Sequence, residues 1–568
     1  MLHLIPAVKE LRETGETLQK NTLRRPDNLP DPRLSAPLSK LPCSEDGIPL
    51  TVTLNGSEGE GYVLDITQTA VSLTAESAAG AFYGLQTLRQ IFDNETKIPC
   101  LHIEDRPDFA YRGFYHDVTR GKIPTVKTVK NLVDKLAYFK INSLQLYVEH
   151  AFEFKETEDI RERTGYLTRA ELEEIDAYCR ESFIDFIPSL NTFGHMYEIL
   201  QQPKFRHLRI AEDFQPTPYF WWDRMRHHTI DPTKEGSIEL IQSLTDQYAP
   251  CFSSPYFNIC CDETGSLKKT EPTGTLYVDF VKKIIRHLKS KNKKVMMWAD
   301  ILLEHPETIE LLPEDTIFLN WDYIPHPREE KVSKFAELNR TQILCPGTNS
   351  WHRFCELVAD AEQNISNMTG FAKKYNALGI LNTNWGDWGN VGSIEMSEYS
   401  IAFGAACSWA SDTEANDAFH KAADRLVFQK DGAFDLLSAL SEIHNRIQWF
   451  PLAKIYYDRC FDVCRPEKVP GEKATEADCQ EAIALCKELL RKLTEPWGNE
   501  EAYQEMILAV KGVWAMAQLY AKAEGYQIAP ELDLDLWLEE YAAAWRRKNK
   551  ESELNNILDM FNKLNRLS

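Results

Sequence analysis

Eight short apolar runs, each followed by a helical stretch, predict an α/β fold built on a (β/α)8 TIM barrel. A small N-terminal α+β domain is expected before it and a C-terminal helical domain after it. Three observations carry this expectation: paired alternating strands over the first hundred residues, a strand-then-helix rhythm through the middle, and helical stripes of apolar residues to the end. The boundaries read as 1–100, 101–400 and 401–568. A chain of 568 residues is long enough for several domains at about 150 residues each.

In the first region Ile48–Leu54 and Tyr62–Ile66 alternate as half-buried strands do, Val71–Thr74 is a shorter run, and Ser77–Phe92 reads as a helix. The eight runs of the middle region are Gly113–Asp117, Ser143–Glu149, Phe183–Asn191, Tyr256–Cys261, Lys294–Asp300, Thr316–Asp322, Gln342–Gly347 and Gly379–Trp385. Val126–Phe139 and Arg169–Glu181 are two of the helices between them. In the last region Ile483, Cys486, Leu490 and Leu493, then Ile507, Val510, Trp514 and Ala517, then Leu534, Leu538, Tyr541 and Trp545 fall at helical spacings. Each set forms one apolar stripe, as in a bundle packed on a core.

Lys and Arg number 64 against 86 Asp and Glu, a net charge of −22. So acidic a chain is a poor partner for nucleic acid or an anionic membrane, both of which require a basic face. The opening Met-Leu-His-Leu-Ile-Pro gives way to Lys9, Glu10 and Arg12, too soon for a signal peptide or a membrane span. The thirteen cysteines show no repeated CxxC spacing. Together these point to a reducing, cytoplasmic setting. No HxH or HExxH motif is present, and His227-His228 are adjacent and would point apart, so no metal is expected. No cofactor is implied, and a homo-oligomer remains open.

In a barrel of this type chemistry is carried at the C-terminal ends of the strands. Those positions hold His116-Asp117, Glu149-His150, Asn191 through His195, Asp262-Glu263, Trp298 and Asp300, Trp321 and Tyr323, Trp351, and Trp385 with Asp387. Carboxylates, imidazoles and indoles converging on one mouth suit a carbohydrate, since rings stack on sugar faces and carboxylates accept hydroxyl protons. Asp262-Glu263 is the sharpest element. Successive strand residues point to opposite faces, so both carboxylates serve one site only if the backbone leaves the pleat there. The adjacent Asp should also hold Glu263 protonated toward neutrality, fitting it to donate a proton. The segment Tyr219-Phe220-Trp221-Trp222-Asp223-Arg224 is either a cover for the mouth or a packed loop.

These motifs resemble glycoside hydrolase family 20, the β-N-acetylhexosaminidases. Arg112-Gly113-Phe114-Tyr115-His116-Asp117-Val118-Thr119-Arg120 resembles the family's first barrel strand, Asn191 to His195 the segment with its active-site histidine, and Asp262-Glu263 its catalytic pair. Gly61-Tyr62 with Ala79 through Arg89 is similar to the accessory domain that precedes the barrel. Pro188 through Met196, continuing to Lys204-Phe205-Arg206-His207-Leu208, looks closest to the hexosaminidase D branch, which is intracellular in animals and tends to prefer galactosaminides. The chain departs from the family in having Cys260-Cys261 where glycines usually precede the pair, and Glu149-His150 where the second strand usually ends in two aspartates. The tyrosine and aspartate motif usual on the seventh strand is missing.

The resemblance implies a retaining exo-β-N-acetylhexosaminidase that removes terminal N-acetylglucosamine or N-acetylgalactosamine by substrate-assisted catalysis. On this reading Glu263 is the general acid, Asp262 orients the acetamido group, and His195 tunes Glu263. Arg112 anchors the terminal sugar, and Glu149 and Asp300 belong to the substrate-binding set. Trp298, Trp321, Trp351 and Trp385 wall the acetamido pocket, Tyr323 or Trp351 meets the acetamido oxygen, and Asp387 holds the O4 or O6 hydroxyl. The alternative is a carbohydrate-binding protein of the same fold whose catalysis has lapsed.

Overall fold

The computed structural model describes residues 2–210, 221–224, 228–269, 273–461 and 471–567. Six strands form the N-terminal sheet: β1 (Glu10–Thr17), β2 (Leu23–Arg24), β3 (Ile48–Leu54), β4 (Tyr62–Ile66), β5 (Val71–Ala75) and β6 (Pro99–Asp105), in the order β1-β6-β4-β5-β3-β2. Alternation drives it. In β4, Tyr62, Leu64 and Ile66 are buried against the helix Ala78–Asn94, while Val63 and Asp65 face outward.

The barrel closes through eight parallel strands: β7 (Tyr111–Asp117), β8 (Ser143–Val148), β9 (Asp185–Leu190), β10 (Tyr256–Asn258), β11 (Lys294–Trp298), β12 (Ile317–Trp321), β13 (Gln342–Cys345) and β14 (Gly379–Asn384). β8, β13 and β14 are buried along their whole length and the other five at all but one residue, as parallel strands covered by helices must be. β14 pairs with β7 from Gly379↔Tyr111 to Asn384↔His116, which closes the ring and aligns all C-terminal ends on one rim. β10 is the shortest strand of the barrel, because the chain turns into the left-handed region at Cys260 (φ 56°) and Cys261 (φ 66°).

The C-terminal region is helical, with long members Glu476–Lys492, Glu500–Glu524 and Leu534–Lys548. Thr475 caps the first of these in a reciprocal box with Asp478. Trp514, Trp537 and Trp545 are buried, which makes them packing residues. This region lies on the rim side of the barrel: Trp449 Nε1 donates to the carbonyl of Trp388 at 3.0 Å, and the Tyr541 hydroxyl to that of Val391 at 2.9 Å. No helix among the described residues is long and apolar enough to cross a membrane. The described cysteines are all free thiols.

Candidate active site

The rim gathers its polar groups around His195. Glycine at 194 is required by crowding, since a Cβ there would lie 2.3 Å from the carbonyl oxygen of Asp262. That close approach places the loop after β9 directly on Asp262 and Glu263. His195 itself turns left-handed (φ 51°), and its Nε2 stands 3.2 Å from Asp262 Oδ2 and 3.2 Å from Glu263 Oε2. Both carboxylates therefore reach the same imidazole nitrogen.

The backbone past β10 explains how. Cys260, Cys261 and Glu263 (φ 46°) are all left-handed, a conformation costing L-residues about 1–3 kcal/mol each. Packing and hydrogen bonds hold it. Cys260 Sγ lies 3.3 Å from Ser189 Oγ, Cys261 Sγ lies 3.3 Å from Thr192 Oγ1, and the Tyr277 hydroxyl donates to the Cys261 carbonyl at 2.8 Å. Glu263 N–H donates to Asp300 Oδ2 at 2.9 Å. Burial, with the Asp262 charge adding to it, pushes the Asp300 carboxyl up to about 8, so it is protonated at neutral pH.

On its other nitrogen His195 meets two groups. Arg120 Nη2 is 3.1 Å from Nδ1, and Glu149 Oε1 is 3.8 Å away. Burial lowers the ring's affinity for a proton, but Asp262 and Glu263 outweigh it and hold the pKa up to about 10, with Arg120 opposing. A guanidinium can only donate, so the Arg120 contact describes the neutral ring, with a lone pair on Nδ1 and the proton on Nε2, and not the imidazolium that the raised pKa favours at neutral pH. Entry of a second proton requires Nδ1 to leave Arg120 for Glu149. The ligand atoms of His195, Asp262 and Glu263 lie within 4.8 Å of one another, a spacing that a metal ion or a shared proton would suit.

Arg120 is the hub that sequence reasoning passed over. It is 4% exposed, pairs with Asp387, and lies 3.3 Å from Glu149 Oε1 and 3.5 Å from Asp117 Oδ2. It also donates to the Tyr147 hydroxyl at 3.1 Å. Tyr147 in turn donates to Glu149 Oε1 at 2.8 Å and accepts from Asn191. Burial raises Glu149 against the pull of Arg120, and it raises Asp387 to about 6. Glu149 thus joins the histidine's support, held by Tyr147 and Arg120.

Arg112 is not at this site. It opens β7 rather than following it, about 17 Å from the rim at roughly 3.3 Å per residue. It is fully buried, donating to the carbonyls of Lys140 (3.0 Å) and Phe109 (2.9 Å), pairing with Glu60 of the N-terminal domain at 2.6 Å, and lying over the rings of Tyr83 and Trp409. The expected sugar anchor is therefore a joint between two domains. The signal for Arg120 was present in the sequence: it follows the C-terminal end of strand one, three residues after Asp117.

The aromatic residues form two rows. Trp321 stacks on Tyr323 (centroids 5.1 Å apart, planes 18°), and Trp351 meets Tyr323 edge-on at 5.1 Å. Trp298 lies against Tyr115 at 5.2 Å and Trp385 at 5.9 Å. Trp385 Nε1 donates to the Tyr323 hydroxyl at 2.8 Å and joins the rows. Burial keeps the Tyr323 hydroxyl well above the ordinary tyrosine range, so its own proton stays available to an acceptor. A groove of about 700 Å3 opens beside Glu263 and Asp300, lined also by Trp321, Arg328 and Lys331. In the segment after β9, Trp221 packs on Trp449 and Tyr457, and Arg224 is buried, so these two are packed rather than covering. Tyr219, Phe220 and His227 lie outside the described residues.

A closed (β/α)8 barrel with paired acids, an imidazole and indoles at its C-terminal mouth defines a carbohydrate-active enzyme. The family profile described as Glycosyl hydrolase family 20, catalytic domain, matches residues 109–428, and that of domain 2 of the same family matches residues 4–106. The chain belongs to glycosyl hydrolase family 20. The beta-hexosaminidase of Porphyromonas gingivalis is 28% identical over 330 residues, 51% of this chain and 40% of that one. A beta-hexosaminidase of Akkermansia muciniphila is 33% identical over 160 residues, 24% of this chain and 32% of that one. The chain thus spans less than half the length of these relatives. Among solved structures, the Flavobacterium johnsoniae chitobiase superimposes over 99% of both chains with a TM-score of 0.63 at 19% identity. The Streptomyces plicatus N-acetyl-beta-hexosaminidase covers 77% of this chain and 95% of its own, with a TM-score of 0.60 at 19% identity. These two show the fold.

Proposed function

We propose that the protein is a retaining exo-β-N-acetylhexosaminidase working by substrate assistance. The observation that carries this reading is the placement of Asp262 and Glu263 on one imidazole nitrogen, 3.2 Å from each. Glu263 lines the groove, where a leaving group would sit. It gives its proton to the glycosidic oxygen as the bond to the anomeric carbon breaks. The substrate's acetamido oxygen forms the new bond to that carbon, giving an oxazolinium ion. Asp262 accepts the acetamido N–H and balances the positive charge that builds there. Water then attacks the same carbon as its bond to the acetamido oxygen breaks and the N-acetyl group is regenerated, Glu263 takes the water's proton, and the configuration is retained.

Arg120 and Asp387 form a charged clamp for the hydroxyls of the terminal sugar, in the role first expected of Arg112. Tyr323, with its hydroxyl already accepting from Trp385, is left to donate to the acetamido oxygen. Trp298, Trp321, Trp351 and Trp385 wall the pocket. An intact acid pair with its histidine supports turnover over the lapsed-binder alternative. The cytoplasmic placement and a lean toward galactosaminides are part of the same proposal. Hydrolysis of paired nitrophenyl N-acetylglucosaminide and N-acetylgalactosaminide by the purified chain tests it. Release from either supports the reading, and release from neither, with sugar binding retained, supports the lapsed binder.

A further inference from the structure

The last stretch of the helical region is built into the barrel mouth. Residues 548–553 run antiparallel to 121–125, the loop that leaves Arg120. Thr125 N–H donates to the Lys548 carbonyl at 2.9 Å, Lys550 N–H to that of Ile123 at 2.8 Å, and Glu553 N–H to that of Gly121 at 3.2 Å. Pro124 and Asn549 are bridged between these bonds. The Glu553 side chain is 4% exposed and pairs with Arg224, itself 2% exposed. Arg224 also reaches Glu198 at 3.2 Å, in the short helix Tyr197–Leu200 that begins two residues after His195. Gly121 (φ 107°) lies on the opposite loop, since a Cβ there would sit 2.8 Å from the carbonyl oxygen of Gly389, two residues beyond Asp387. Ile557 presses on that same Gly389.

Glu553 therefore stands where three segments meet: the loop bearing Arg120, the loop bearing Asp387 and the helix after His195. A buried Glu–Arg–Glu array is a poor source of stability, because desolvation offsets its attraction. What such an array does supply is a fixed geometry. We propose that Glu553, from the C-terminal region, is a positioning residue that sets the Arg120–Asp387 clamp through Arg224 and the 121–125 loop. The proposal rests on Arg120 being the sugar anchor. A displacement of about 1 Å in a binding group can cost on the order of a hundredfold in rate.

The test is a double-substitution cycle on the full chain. It is read by kcat/KM on the nitrophenyl N-acetylhexosaminides and by calorimetric Kd for free N-acetylglucosamine and N-acetylgalactosamine. Glu553→Ala is expected to lower kcat/KM about tenfold or more, mostly through KM, and to weaken Kd in proportion. Glu553→Gln, which keeps the volume and one acceptor for Arg224, is expected to lose about threefold and decides the matter if the alanine variant does not fold. In an Arg120→Ala background either change should cost less than about twofold, because the group it positions is gone. Additive losses, or a Gln variant at parental kcat/KM and Kd, would overturn the proposal. If the parent binds the sugars but hydrolyses neither glycoside, the hydrolase reading fails and the Kd cycle still decides the role of Glu553. If it binds neither sugar, the anchor role of Arg120 and this proposal fall together.

Discussion

The backbone N–H of Glu263 donates to Asp300 Oδ2 at 2.9 Å, so a side chain from strand five pins the left-handed turn that aims the acid. Asp300 is held protonated by burial and by the charge of Asp262, with a pKa of about 8. An amide is then its close mimic below that pH. Asp300→Asn is expected to keep kcat within about threefold at pH 6.5, while Asp300→Ala, which removes the acceptor, should lose about tenfold or more. Above pH 8 the parent gains a negative charge on Asp300 beside Asp262 and Glu263 and should decline, whereas Asp300→Asn should not show that step. Steady-state pH profiles of the two proteins check both points, and an Asn variant as damaged as the Ala variant would show that the carboxylic acid itself is needed.

The acid and its neighbour should fail differently. Glu263→Gln and Asp262→Asn are each expected to cost about 10² or more in kcat on a nitrophenyl glycoside. With a dinitrophenyl leaving group, which needs little protonation, the Glu263→Gln loss should shrink and the Asp262→Asn loss should not. Measuring kcat on both leaving groups separates the roles.

Arg120 and Arg112 make opposite predictions. Arg120→Ala should raise KM and lower kcat/KM by about 10². Arg112→Ala should act on stability, since it leaves Glu60 and two carbonyls without their donor and opens a void between domains. Thermal unfolding and kinetics on the two variants decide. Asp387 adds a pH dependence: its pKa is raised to about 6, so as pH falls through 6 it protonates, the clamp with Arg120 weakens, and KM should rise.

Tyr323→Phe removes the hydroxyl that receives the Trp385 N–H and that is proposed to donate to the acetamido oxygen. A loss of about 10- to 10²-fold in kcat is expected, with Trp fluorescence changing as the indole N–H loses its acceptor. Unchanged kcat would assign the acetamido oxygen to another donor.

Much of this was legible in the residues. All eight barrel runs lie within a few residues of β7–β14, because buried parallel strands are short, apolar and followed by helices. β1 escaped notice because every residue of Glu10–Thr17 is exposed and no alternation marks it, and β6 because it opens on Pro99 and reads as a linker. The sheet accordingly runs to Asp105, past residue 100. The carboxylate pair, the histidine and the tryptophans stand out as types of residue at strand ends. Both arginines fall in one motif block, and only their place on β7 separates them: Arg112 lies at its start and Arg120 beyond its C-terminal end. Tyr147 and Asn191 are meaningful only through Arg120 and Glu149, and the Arg120–Asp387 pair joins residues 267 apart in sequence, which no local pattern reveals.

The central claim is that the ligand supplies its own nucleophile. Comparing kcat/KM for nitrophenyl glycosides bearing N-acetyl, N-fluoroacetyl, N-difluoroacetyl and N-trifluoroacetyl groups addresses it directly, since each fluorine weakens the amide oxygen while leaving the sugar ring unchanged. The account predicts a steep, stepwise fall of several orders of magnitude across the series. A flat series, with all four glycosides cleaved at similar rates, would contradict it and place the nucleophile on the protein.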